Sequence, residues 1–169
     1  MKVFTTISLL LFLTSLCFSQ NKVPQVPKEI KSYLDTAYIG WKLSVVTDQM
    51  TADFFSSTKF TPSFAWGDFD QDGSRDYVVQ ISYTDSLQKR TVLVFLKRVQ
   101  HFVPFVLETN SDDPEIFINV TKKGSQGYNW EKEKPFKYSS DAVDVVYAGK
   151  SGMSYFYRNG HFTKVQTGD

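Results

Sequence analysis

The chain has 169 residues, with 19 Lys and Arg against 18 Asp and Glu, so its formal net charge at pH 7 is +1. This balance excludes the strongly basic character expected of a nucleic-acid partner or of a protein that binds anionic membranes. Aromatic residues make up 16% of the chain and lie in alternating stretches, which favours a β-sheet core over a sugar-binding platform.

The first nineteen residues have the pattern of a secretory signal peptide. Lys2 precedes an apolar run at residues 7–18, which is too short to span a bilayer well. Cys17 and Ser19 place small side chains at the two positions that a signal peptidase reads, so we expect cleavage after Ser19 and a mature chain that begins at Gln20. The protein is therefore predicted to be exported, to the periplasm or beyond, without membrane insertion after cleavage.

Cys17 is the one cysteine of the chain. If it leaves with the signal peptide, the mature chain has no disulfide, no thiol nucleophile and no thiolate metal site. Two alternatives stay open, namely a retained membrane anchor and a lipid anchor on Cys17. Leu16 argues against the lipid anchor, because such sites resemble a small residue followed by cysteine.

Residues 20–27 predict a flexible leader, and residues 28–169 predict a single domain. Pro27 suits the first turn of a helix. In residues 28–43 apolar side chains recur with a period near 3.6, which predicts one amphipathic helix that Gly40 loosens or ends. The apolar positions are Ile30, Leu34, Ala37, Tyr38 and Trp41.

From residue 60 onward, short apolar runs cut by turn residues predict a mostly antiparallel, meander-like β-sheet, and the fold class is α+β. Residues 91–99 are apolar on both faces, as expected of a central strand covered on each side, and the helix is a candidate for one cover. Residues 122–137 predict a long surface loop or an irregular hairpin. Asn159 and Gly160 predict a hairpin. The other predicted strands are residues 77–83, 102–107, 116–120, 142–148, 153–158 and 162–165.

One aspartate-rich loop carries the motif with metal chemistry. Its acidic residues stand at positions one, three, five and nine, and Gly73 stands at position six. Calcium takes six to eight oxygens at about 2.3–2.6 Å, so a loop around it must turn alternate residues inward, with glycine at the sharp bend. The predicted ligands are the carboxylates of Asp68, Asp70, Asp72 and Asp76 and the backbone carbonyl of Ser74.

The loop is not an EF-hand, because position twelve is Val79 instead of glutamate. We expect a cation loop that joins two strands, with Phe69 pointing inward as an apolar plug. Crowded carboxylates repel one another, and Arg75 offsets only part of that repulsion, so a bound calcium ion is favoured over an aspartate-rich turn that binds nothing.

Residues 67–76, with the sequence GDFDQDGSRD, resemble the calcium loop of FG-GAP and VCBS-type repeats, the units of integrin-like β-propellers. The resemblance implies that Asp68, Asp70, Asp72 and Asp76 coordinate calcium and link two strands. Such propellers need several copies and this chain has one, so a propeller is not expected. The chain is also similar to small exported bacterial proteins in which a helix ending in Gly-Trp-Lys, here residues 40–42, precedes one such loop and an aromatic hairpin follows. This resemblance implies no activity.

The sequence contains no recognisable catalytic motif. His101 and His161 each adjoin a phenylalanine and are predicted to be structural or exposed. The acidic run that contains Asp112 and Asp113 lacks the alternation of a calcium loop and predicts a solvated turn. A hydrolase built on two of the carboxylates Glu108, Glu115 and Asp144 stays open, although nothing in their spacing recommends it.

Met153, Tyr155 and Tyr157 lie on one face of a predicted strand and would form a patch for a protein or glycan if that face is exposed. The predicted function is an exported, non-enzymatic binding module with a structural calcium loop. The alternatives are a periplasmic inhibitor or immunity protein directed against a secreted enzyme and, third, the carboxylate-based hydrolase.

Overall fold

The structure is a computed structural model that describes residues 25–45, 63–85, 89–110, 116–148 and 151–168. The predicted signal peptide with Cys17 lies outside these ranges, as do Asp112, Asp113 and Glu115. Among the described residues, no helix has the length and apolar character needed to cross a lipid bilayer. The elements are α1 (Lys28–Ala37), β1 (Trp41–Leu43), β2 (Phe64–Gly67), β3 (Asp76–Tyr83), β4 (Arg90–Lys97), β5 (Phe102–Asn110), β6 (Ile116–Thr121), β7 (Gln126–Asn129), β8 (Lys134–Lys137), β9 (Ala142–Tyr147), β10 (Ser151–Arg158) and β11 (His161–Gly168).

α1 is an amphipathic helix with one buried face. It starts directly after Pro27, whose carbonyl accepts the first helical hydrogen bond from the backbone N–H of Lys31 at 2.9 Å. Ile30 and Leu34 are four residues apart, so they share a face, and both are fully buried. They pack against Leu93 and its neighbours on the sheet.

The helix is shorter than the periodic stretch of residues 28–43. It ends at Ala37, and Gly40, which was expected to loosen or end it, follows three residues later with a positive φ of 76°. Trp41 then begins β1, which pairs with β3. An apolar residue here satisfies the helical period and a strand equally well, and the backbone hydrogen bonds offered by β3 decide between the two.

The first sheet has the antiparallel order β1-β3-β4-β5, and β2 also pairs with β3. β1 and β2 share one edge of β3, since Leu43 pairs with Ile81 and Phe64 pairs with Val79. Side-chain and backbone hydrogen bonds connect the end of β1 to the start of β2. The hydroxyl of Ser63 donates to the carbonyl of Ser44, and both residues hydrogen-bond to the backbone of Gln80 on β3.

The second sheet has the antiparallel order β11-β10-β9-β6 and packs face to face on the first. A single meander-like sheet was expected, so the presence of two sheets corrects that prediction, whereas the α+β class with an N-terminal helix is compatible with the structure. β4 explains the arrangement. Its two faces are buried in different cores. One face, with Val92, Val94 and Leu96, lies in the core between the two sheets. The other face, with Leu93 and Phe95, lies in the core under the helix.

Residues 122–137 contain the β7–β8 hairpin, one of the two outcomes expected for this segment. Phe136 on β8 and Tyr138 just after it pack on the outer face of the second sheet, where they meet Ala142 and Phe156. The hairpin at Asn159 and the strands predicted on either side of it are confirmed.

Candidate metal centre

The aspartate loop connects β2 to β3, and the cross-strand pair Gly67–Asp76 closes it. Phe69 is fully buried in the core between the two sheets, so its predicted role as an inward plug is confirmed. Gly73 adopts a φ of 83°, which explains why the sharp bend of the loop needs glycine. The loop is thus anchored by one apolar side chain and turned by one glycine.

Three of the predicted ligands come together. Ligand oxygens of Asp68, Asp70 and Asp76 all lie within 4.8 Å of one another. Asp72 is exposed outside this group, and its Oδ1 accepts a hydrogen bond from the backbone N–H of Ser74 at 2.7 Å. The structure therefore joins the carboxylates at positions one, three and nine, while the one at position five caps the turn.

Asp76 is the innermost carboxylate of the loop. It is fully buried, and its two oxygens accept the backbone N–H groups of Phe69 at 2.8 Å and of Lys97 at 2.7 Å. Burial raises the pKa of Asp76 to about 6, against the opposing effect of those two hydrogen bonds, and the charges of Asp70 and Asp72 raise it further. Burial and two neighbouring carboxylates therefore both disfavour the charged form of Asp76.

Asp68 contains a buried oxygen without a partner. Its Oδ2 accepts the backbone N–H of Gly73 at 3.2 Å, whereas its Oδ1 is buried and makes no hydrogen bond. An unpartnered buried carboxylate oxygen is costly and calls for an explanation such as an ion. A hard divalent cation such as calcium, which binds oxygen ligands, fits this donor set.

Arg98, just after β4, is the basic side chain that pairs with the loop. Its Nη1 donates to Oδ2 of Asp70 and lies 3.6 Å from Oδ2 of Asp72. The hydrogen bond that Arg98 donates to Asp70 is the main reason why the pKa of Arg98 is raised. Arg75, which was expected to offset part of the repulsion in the loop, instead places its guanidinium over the ring of Trp66, 4.4 Å from its centroid.

Asp141, just before β9, holds the loop from the second sheet. Its Oδ2 accepts the backbone N–H of Asp68 at 3.1 Å and the ammonium of Lys122 at 2.7 Å, and its Oδ1 accepts the backbone N–H of Lys123 at 3.0 Å. Burial alone would raise the pKa of Asp141, but these hydrogen bonds outweigh it and hold the pKa below the usual value. Sequence reasoning missed this residue because it lies 73 positions from Asp68.

The two histidines are exposed, His101 before β5 and His161 at the start of β11. Two of the carboxylates considered for a hydrolase do not meet. Glu108 points between the sheets, where Tyr147 and Tyr155 donate to it, whereas Asp144 lies on the opposite face of the second sheet. The described residues thus offer no pair of these carboxylates.

The strand face of Met153, Tyr155 and Tyr157 does not form the expected binding patch. Tyr155 is 5% exposed, and the other two side chains pack against the same core between the sheets. The face is covered because β10 is an inner strand of the second sheet and turns these side chains toward the first. The half-exposed aromatic side chain nearest the loop is Trp66.

Comparisons of the chain with protein-family models, with curated proteins and with solved structures each give no match.

Proposed function

We propose that this protein is an exported, non-enzymatic binding module in which the aspartate loop holds a structural calcium ion. The observation that supports the proposal most is the cluster of Asp68, Asp70 and Asp76 with the buried, unpartnered Oδ1 of Asp68. These three carboxylates would hold the ion, and Asp72 with the carbonyl of Ser74 are the further ligands predicted from the spacing. The ion would supply positive charge and fix the turn between β2 and β3.

Arg98 sets the strength of calcium binding in this proposal. Its guanidinium already uses one oxygen of Asp70, so it competes with the ion for that carboxylate. The same contact offers a second way to balance the loop, in which Arg98 alone stabilises the turn. Removing the guanidinium separates the two, because only a calcium loop becomes more dependent on the ion without it.

The recognition surface that we propose is centred on Trp66, next to the loop. Its ring is 50% exposed and has two cations close to it, with the guanidinium of Arg75 at 4.4 Å and the ammonium of Lys122 at 5.2 Å from its centroid. An exposed tryptophan flanked by basic groups suits a partner that carries acidic groups. Calcium would act on this surface by fixing the loop that carries Arg75.

The test of the metal site is thermal unfolding in EDTA and in calcium, with magnesium as a second ion. An ion that binds only the folded state at a hundredfold excess over its dissociation constant adds about 2.7 kcal/mol, a shift of a few degrees. We expect this shift for the wild type and for Asp85→Asn, an exposed aspartate outside the loop, but not for Asp68→Asn/Asp70→Asn. Arg98→Gln should lose stability in EDTA and regain more of it in calcium.

If calcium shifts neither the wild type nor Arg98→Gln, the loop is a turn balanced by Arg98 and the metal proposal is wrong. The binding surface has its own measurement, retention on immobilised poly-glutamate. The wild type should be retained and Trp66→Ala should not, while calcium should raise the unfolding temperature of both proteins. Retention that is equal in the two would contradict the role of Trp66.

A further inference from the structure

The outer face of the second sheet contains a cavity that is separate from the aspartate loop. It lies between the β7–β8 hairpin and strands β9 to β11, is open to solvent and has a volume of about 440 Å³. Cavities that hold small ligands usually have about 300–1,000 Å³. Its lining residues include Tyr138, Asp144 and Thr167.

Asp144 is the acidic group of this cavity, and it is 8% exposed. The hydroxyls of Thr121 and Ser154 donate to its two oxygens, and Ser154 is in turn linked to Tyr138 at 2.9 Å and to Thr167 at 2.8 Å. Each carboxylate oxygen has two lone pairs, so acceptor capacity remains. Within the described ranges no basic side chain pairs with Asp144, and burial accordingly raises its pKa.

Gly152 and Gly168 line the cavity and have no side chain to fill it. A Cβ on Gly168 would lie 2.7 Å from the backbone nitrogen of Gly152, so only glycine permits this close approach of β11 to β10. A Cβ on Gly152 would meet the backbone of Gly168 at 3.5 Å, which is ordinary contact. Gly152 stands two residues before Ser154 on β10, so a side chain at this position would project from the cavity face of the sheet.

We propose that this cavity binds a small organic cation, a primary ammonium group on a compact apolar body. The ammonium would donate to the free acceptor positions of Asp144 and supply the missing positive charge. The body would lie against Val146 and the ring of Tyr138, which line the cavity on the same side as Asp144. A carboxylate or phosphate ligand is disfavoured by the described lining residues, none of which is basic.

Three probes of one shape and different charge test the proposal, namely benzylamine, benzyl alcohol and benzoate. Each is titrated into the isotope-labelled protein while backbone amide resonances are followed by NMR. Benzylamine should shift the amides of Asp144, Gly152 and Thr167 with saturation. Benzyl alcohol should bind about tenfold more weakly because it lacks the charge-assisted hydrogen bond, and benzoate should leave these amides unshifted.

Two variants and one control separate recognition from folding. Asp144→Asn should lower the affinity for benzylamine about tenfold and leave that for benzyl alcohol unchanged, since only the charge is removed. Gly152→Val should block both probes by filling the cavity, and the dispersion of its amide spectrum reports whether it folds. Asp85→Asn, an exposed aspartate elsewhere, should bind as wild type.

Three results would overturn the proposal. They are benzoate binding as tightly as benzylamine, benzylamine shifts that persist in a folded Gly152→Val protein, and the absence of any saturable shift with benzylamine. None of them bears on calcium binding, because the cavity shares no residue with the aspartate loop.

Discussion

Glu108 joins the two sheets through side chains alone. Its carboxylate, on β5 of the first sheet, accepts hydrogen bonds from the phenols of Tyr147 on β9 and Tyr155 on β10. Burial raises the pKa of both phenols, and the hydrogen bonds to Glu108 and its negative charge raise it further. Both tyrosines therefore remain protonated donors well beyond the pH at which an exposed tyrosine ionises.

Replacing Glu108 tests this junction. Glu108→Ala leaves two half-buried or buried phenols without an acceptor, so we expect a loss of about 1–3 kcal/mol in the free energy of unfolding, measured by urea denaturation. Glu108→Gln keeps one acceptor oxygen and should lose less. In an ultraviolet pH titration, two tyrosines should ionise later than the others in the wild type and earlier in Glu108→Ala. An unchanged titration in the alanine variant would contradict the assigned contact.

Asp144 is expected to make stability depend on pH. Because burial raises its pKa in the folded state, its contribution to stability is complete below the unfolded pKa of about 3.9 and is lost as the pH rises through the folded value. Tyr138, the ionisable group that faces it, stays neutral because burial raises its pKa too. Asp144→Asn should therefore flatten the fall in unfolding free energy across a series of urea denaturations from about pH 4 upward.

In EDTA, Asp76 would also make the free energy of unfolding fall as the pH rises, since its pKa is raised to about 6. The comparison of Asp144→Asn with wild type at each pH removes that shared contribution. A variant whose stability falls with pH as steeply as the wild type would show that Asp144 is not the group responsible.

At the scale of elements, the β2–β3 hairpin depends on Gly67. A Cβ at this position would lie 2.7 Å from Cε1 of Phe69 and 3.0 Å from Oδ2 of Asp141. Gly67→Ala must therefore displace the apolar plug or the residue that holds the loop, and we expect a loss of about 1–3 kcal/mol in thermal or urea unfolding. Gly152→Ala is the matched control, because its Cβ makes only ordinary contact at 3.5 Å. Equal stability of the two variants would contradict this account.

The strands of the two sheets could largely be predicted, because each is a short apolar run bounded by turn residues. The end of the helix could not, since Trp41 fits both a helical and a strand pattern and only pairing with β3 distinguishes them. Because both faces of β4 are apolar, we predicted that another element packs against each face. It did not show that one of them is a second sheet, because the pairing of β9 with β6 and β10 is invisible to local patterns.

The candidate site divides in the same way. Spacing alone singled out the aspartates, and three of them come together. Arg98 and Asp141 were missed because they reach the loop through strand pairing and sheet packing, from 28 residues beyond Asp70 and 73 beyond Asp68. Their own sequence neighbourhoods carry no motif.

For the molecule as a whole, β4 is shared by two cores, so the helix and the second sheet are expected to unfold together. Leu34→Ala opens the core under the helix and Ile118→Ala opens the core between the sheets, each at a cost of about 2–5 kcal/mol. In both variants, circular dichroism and tryptophan fluorescence should report one common transition at lower urea. Two separated transitions in either variant would show that the cores are independent.

The junction of β1 and β2 on β3 has a consequence for protein engineering. Ser44 and Ser63 are tied to each other and to Gln80, so the chain leaves and re-enters the first sheet at nearly one point. Whatever connects them, these hydrogen bonds hold the two ends side by side. If the backbone were cut between residues 45 and 63, these hydrogen bonds and the pairing of β1 and β2 with β3 would still connect the two new chain ends to the first sheet.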